Sequence, residues 1–251
     1  MVFAHPGHEL LAMGLLQRHR PHLLFLTRAN SGGDFGREEL SLYGLRKLGL
    51  AERATFLGVD ERDIFRWLLE GQATPFLDLR NRLLEWLHAV RPTQIFGDAF
   101  ELTNVVHDIG RALLDSAWRQ YRRESSPCDN FELPLVCRTE PEPWKLRFQE
   151  FPCGPFETFA LSDAELEFKR ALADWVGTRR VEAAMARSLF LLEREVFRSV
   201  TPDRSYSAPP PELRFHYDDW GRYQVQNGKY ARPILFADHF VPMIRQLPWL
   251  A

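Results

Sequence analysis

At 251 residues, 45% of them apolar and 26% charged, the chain is long enough for one large α/β domain with a real core. A formal net charge of −2 gives no electrostatic basis for a nucleic-acid partner, and the run Arg119-Gln120-Tyr121-Arg122-Arg123 reads as a solvated helix end. Three widely spaced cysteines (Cys128, Cys137, Cys153) suit neither a disulfide framework nor a paired-cysteine zinc site, and no apolar run approaches the roughly 18 residues of a membrane span. With no leader pattern either, the expectation is a cytoplasmic protein.

In chain order, residues 2–4 form a short buried strand ending at His5. Pro6 and Gly7 permit a tight turn, and His8 and Glu9 lead into a helix over 9–19 that packs through Leu10, Leu11, Met13, Leu15 and Leu16 and stops at Pro21. His5 and His8, three residues apart, could share a metal ion or simply flank a strand-to-helix turn. Residues 22–27 are a continuous apolar run, as in a parallel strand covered on both faces. Residues 30–36 are a loop by composition, 37–48 a helix stopped by Gly49, and 54–59 a third short strand. Residues 74–90 are the clearest amphipathic helix, with Phe76, Leu79, Leu83, Leu84, Leu87 and Val90 on one stripe. A strand over 93–98 ends in Asp98, and a helix spans 105–121.

This alternation predicts an α/β fold: a right-handed, doubly wound, mostly parallel sheet with helices on both faces. Ligands of such sheets bind beyond the carboxyl ends of the strands. His5, the loop at 31–34, Asp98 and the approach to His107 all fall at such ends. From 126 onward the pattern loosens: strands over 131–137 and 144–149, then a helix opened by the capping-box pair Ser162 and Glu165 and continuing with interruptions to about 200. A Pro-rich extended loop follows at 201–212, then a polar-aromatic tail from Phe215 and a last helix within 229–247. The chain reads as one domain, 1–251, with a parallel α/β core in 1–125 and a divergent α+β half in 126–251.

The order Ala4-His5-Pro6-Gly7-His8-Glu9 after one strand, and Asn104-Val105-Val106-His107 after a later one, resembles the PIG-L or LmbE-like family of zinc-dependent N-acetyl-sugar deacetylases. The family motifs read Ala-His-Pro-Asp-Asp-Glu and His-x-Asp-His. The resemblance covers roughly the first 120 residues well and the rest loosely. It implies a Rossmann-like fold and a small-molecule substrate such as an amino sugar or glycoconjugate. It also implies a metal-activated water and Zn2+, or another divalent metal, held by His5, His8 and His107. The family's catalytic base falls on Gly7, its aspartate ligand on His8, and the Asp and leading His of its later motif on Val106 and Asn104; Glu9 is retained.

These departures have physical consequences. An imidazole in place of a carboxylate preserves coordination and removes one negative charge, so three neutral ligands should acidify a bound water strongly. Loss of the positioned base should cost on the order of 10²–10⁴-fold unless another residue replaces it. The candidates are Asp98 first, then Glu9, Asp34 and Glu101, with Asp108 in a supporting role. Arg37 and Asp34 are candidates for holding substrate, Arg37 by pairing with a phosphate or carboxylate. Tyr206, Tyr217, Trp220 and Tyr223 could stack on a sugar or pack in a core. The function expected is deacylation of an N-acyl amino sugar or similar amide. The alternative is a ligand-binding homologue, non-catalytic or repurposed, that lacks the base at Gly7.

Overall fold

The structure is a computed structural model and describes residues 1–28, 37–138, 147, 148, 150–152, 154–177, 193–208, 213 and 216–250. Five parallel strands build its centre: β1 (Val2–Phe3), β2 (Leu23–Thr27), β3 (Ala54–Val59), β4 (Gln94–Asp98) and β5 (Asp129–Leu133). Two more, β8 (Glu157–Ala160) and β9 (Arg194–Ser199), extend it antiparallel beyond β5, giving the order β3-β2-β1-β4-β5-β9-β8. The short strands β6 (Val136–Cys137) and β7 (Arg147–Phe148) pair separately.

Strand alternation divides the core into two layers. Val2, Ala4, Leu24, Leu26 and Ile95 face one way, onto α3 (Glu61–Glu70), α4 (Thr74–Val90) and α5 (Val105–Glu124). Phe3, Leu23 and Phe25 face the other way, onto α1 (Met13–His19) and α2 (Arg37–Leu48). Burial on both faces is what the unbroken apolar run of β2 requires, and all five of its residues are buried. The mostly parallel, doubly wound sheet is thus the fold expected from the sequence.

Several local readings are corrected. The helix expected over 9–19 begins as a 3₁₀ turn, His8–Ala12, before α1. The strand expected over 131–137 is broken into β5 and β6 at Pro134, which has no N–H to give a ladder. The helix that opens at Ser162 is α6 (Asp163–Gly177). Its capping box is formed, with Ser162 N–H donating to Glu165 Oε2 (2.7 Å) and Glu165 N–H to Ser162 Oγ (3.4 Å). Helix does not continue to 200, because β9 occupies 194–199. Strand β8 and helix α3 were not anticipated. The polar-aromatic tail contains a helix, His216–Gln226, and the last helix is reduced to a π turn (Phe236–Phe240) followed by Val241–Ile244. The loop at 30–36 with Asp34, much of the strand at 144–149, Cys153 and Pro209–Pro211 lie outside the described residues. Among the described residues no helix is long and apolar enough to cross a membrane.

Candidate metal centre

The carboxyl ends of β1, β2 and β4 meet α5 at one point. Ala4 N–H donates to Asp98 Oδ2 (2.7 Å), tying the end of β1 to the end of β4, and Thr27 N–H donates to Ala4 O (3.0 Å). Gly7 then turns the chain at φ +103°, a conformation that disfavours any side chain, while its N–H donates to Glu9 Oε2 (2.7 Å). This turn folds His8 back towards His5. His107 lies in the first turn of α5, which Asn104 caps by accepting from Val106 N–H (2.9 Å). Asp108 accepts from Glu101 N–H (2.9 Å) and Leu102 N–H (3.1 Å), folding the preceding loop onto the helix. Asn104 and Asp108 therefore build the approach to His107.

Helix α5 comes close to β1 because position 110 is glycine. A Cβ there would stand 2.9 Å from Leu26 Cδ1 and 3.5 Å from the Ala4 Cβ. Gly110→Val is expected to push α5, and His107 with it, away from His5. The cost should be about 1–3 kcal/mol in stability, read by urea denaturation.

The three histidines converge. Their ring centroids lie 5.0 Å (His5–His8), 4.9 Å (His5–His107) and 4.6 Å (His8–His107) apart. One ligand nitrogen from each falls within 4.8 Å of the other two. His5 is 1% exposed and His107 8% exposed. Burial lowers the pKa of both, further helped by the neighbouring imidazoles, and most strongly for His107. Both rings are therefore neutral at physiological pH, the state a metal ligand needs.

The carboxylates stand behind these rings. His8 Nδ1 lies 2.8 Å from Asp98 Oδ2, the same oxygen that accepts from Ala4. His5 Nδ1 lies 2.9 Å from Glu61 Oε1 and 2.7 Å from Thr27 Oγ1. His107 Nδ1 is 3.5 Å from Glu101 Oε2 and makes no hydrogen bond. Burial pushes Glu101 well above its ordinary pKa and holds His107 well below its own, so both shifts weaken an ion pair across this contact. Glu101 instead accepts from the N–H groups of Leu135 and Val136, fastening β6 beside the centre. Glu9 is fully buried, and burial raises its pKa. Arg37, half-buried at the start of α2, contributes positive charge that lowers His5, His107 and Glu61. Trp220 and Tyr223 are exposed on the helix His216–Gln226, whereas Tyr206 and Tyr217 are buried.

Sequence reasoning did not find Glu61. Its signal was faint: Asp60 caps α3 by accepting from Arg62 N–H (2.9 Å), and an acidic first turn follows. The donor set suits a borderline divalent ion: three imidazoles, two with Nδ1 beside carboxylates and the third with a buried Nδ1 that has no hydrogen-bond partner among the described residues.

With this geometry, similarity to solved structures becomes informative about the fold. The chain aligns with a triple mutant of a deacetylase involved in the teicoplanin biosynthetic pathway (TM-score 0.53, 11% identity, 80% of this chain and 96% of that one). It also aligns with the A40926 pseudoaglycone deacetylase Dbv21 (TM-score 0.54, 12% identity, 78% and 93%). At these identities what is shared is the fold alone, a mostly parallel α/β sheet with helices on both faces. No family model matches the chain, and no curated protein matches it in sequence.

Proposed function

We propose that this chain is a metal-dependent hydrolase that deacylates an N-acyl amino sugar or a similar small amide, with Zn2+ or a related divalent ion on His5, His8 and His107. The convergence of three imidazoles at the carboxyl ends of β1 and β4 carries this reading. The fold shared with two proteins described as deacetylases supports it. A bound ion would supply carbonyl polarisation and an activated water.

The chain's residues supply the rest. Thr27, Glu61 and Asp98 orient the ligand rings. Asp98 Oδ1, buried and without a hydrogen-bond partner, is the atom we assign to accept a proton. Glu9, buried with one oxygen held by the Gly7 N–H, is the residue we assign to protonate the leaving amine. Arg37 would hold an anionic or carbonyl group of the substrate. The test is metal analysis of protein purified without chelators, together with acetate release from a panel of N-acetyl amino sugars. Protein that carries no zinc and does not reload sinks the proposal.

One observation favours a second reading, a homologue that binds its ligand without turnover. Asp98, Glu61 and Glu101 all approach Nδ1 atoms of the rings, and position 7 carries no base. A Cβ at Gly7 would meet nothing within 4 Å, so a carboxylate fits there at a backbone cost of roughly 1–2 kcal/mol for the positive φ. If Asp98 does not serve as base, Gly7→Asp should raise acetate release by on the order of 10²–10⁴-fold. If Asp98 does serve, the rate should stay within a few-fold of the starting protein.

A further inference from the structure

We infer that Glu61 is a positioning residue of the metal centre, acting through His5 and strengthening its hold on the ion; the inference rests on the proposed metal centre. The argument begins with one hydroxyl proton. Thr27 Oγ1 donates to Ala4 O (2.8 Å) and has no second proton to give. Towards His5 Nδ1 it can only accept. Glu61 Oε1, at 2.9 Å from the same nitrogen, is also an acceptor. Both partners of Nδ1 thus require the proton to sit there, which leaves the lone pair on Nε2 for a ligand. At 1% exposure the ring has no water to substitute for either partner.

Thr27 alone would set the tautomer. Glu61 adds a negative charge. Its Oε1 stands 2.9 Å from His5 Nδ1. The contact is a carboxylate on a neutral Nδ1–H, which raises the donor strength of the opposite nitrogen. Asp98 Oδ2 hydrogen-bonds to His8 Nδ1 at 2.8 Å. Two negative charges therefore stand directly behind an all-imidazole ligand set.

Glu61 is also well placed to hold its position. It is the first residue of α3, where the helix dipole favours an anion. Ile64 and Leu68 anchor that helix in the core shared with Leu26 and Ala4, the residues that flank the histidine strands.

The test is competitive zinc titration against a chromophoric chelator, on the full chain, for the wild type, Glu61→Gln, Glu61→Ala and the control Asp63→Asn. Asp63 lies on the same helix and pairs with Arg66. Zinc should bind the two Glu61 variants about 10–100-fold more weakly and the control unchanged. Cobalt substitution gives a second readout, in which Glu61→Gln should shift the visible absorption bands of the wild type. Because the glutamine is isosteric, this readout survives if the alanine variant fails to fold. Wild-type affinity and an unshifted cobalt spectrum in Glu61→Gln would overturn the inference and leave the metal centre standing. A wild type that takes up neither metal would overturn the metal centre itself and this inference with it.

Discussion

On the proposed metal centre, His107→Ala is expected to weaken zinc binding by at least about 10³-fold, since one of three proposed ligands is lost and each tenfold is about 1.4 kcal/mol. His107 is the candidate ligand that joins the two parts of the site. His5 and His8 come from one turn, whereas His107 arrives on α5 and closes the triangle at 4.9 and 4.6 Å. The measurement is the zinc content of dialysed protein with the affinity taken by competition. Near-ultraviolet circular dichroism should be unchanged, because the lost ring sits in a cluster held by Asn104, Asp108 and Gly110. Retained tight binding would mean that the ion, if present, lies elsewhere.

The largest effect on stability should come from Glu132. This side chain is 0% exposed on β5, and it accepts from Arg198 Nε (2.6 Å) and from Arg204 Nη1 and Nη2 (2.5 and 2.7 Å). Glu132→Ala removes the buried carboxylate that two partly buried guanidinium groups share and should cost about 3–5 kcal/mol, read by urea denaturation at neutral pH. The dependence on pH has a definite sign. Burial alone would push Glu132 up, but Arg204, Arg198 and Arg111 bring it down to about 2 from 4.5. Its folded pKa lies below its unfolded one, so its contribution is complete above about 4.5 and is lost as pH falls towards 2. Glu132→Gln should flatten the stability profile in that window. A variant whose acid limb matches the wild type would assign acid unfolding to other carboxyls.

Most of the first 125 residues were legible because the pattern there is simple. The unbroken apolar run of β2, the stripe of α4 and the glycine stop after α2 each answer to a single local rule. The second half obeys no such rule. Strand β9 buries Glu195, which accepts from Gly14 and Leu15 N–H at 2.8 and 3.0 Å, and it aims Arg198 at Glu132. Charges satisfied by distant partners look like solvated residues in a sequence, so the strand read as helix. The histidine positions were legible through motif order. The partners behind them were not. Glu61 lies far from His5 in the chain, on a short helix that carries Ile64, Phe65, Trp67, Leu68 and Leu69, and nothing in that local pattern ties its first residue to a histidine that follows β1. Asp98 was legible as a rim carboxylate, but its contact with His8 Nδ1 appears only once β1 and β4 are laid side by side.

The single oxygen Asp98 Oδ2 has a consequence for how mutants of this protein are interpreted. It accepts from the backbone at the end of a two-residue strand and from the imidazole of a candidate ligand, so architecture and chemistry are superposed on one atom. A screen scored only by turnover would rank Asp98 among the indispensable positions whether or not it ever carries a proton. A replacement at 98 must therefore hold the strand in register and aim the ring in the same step.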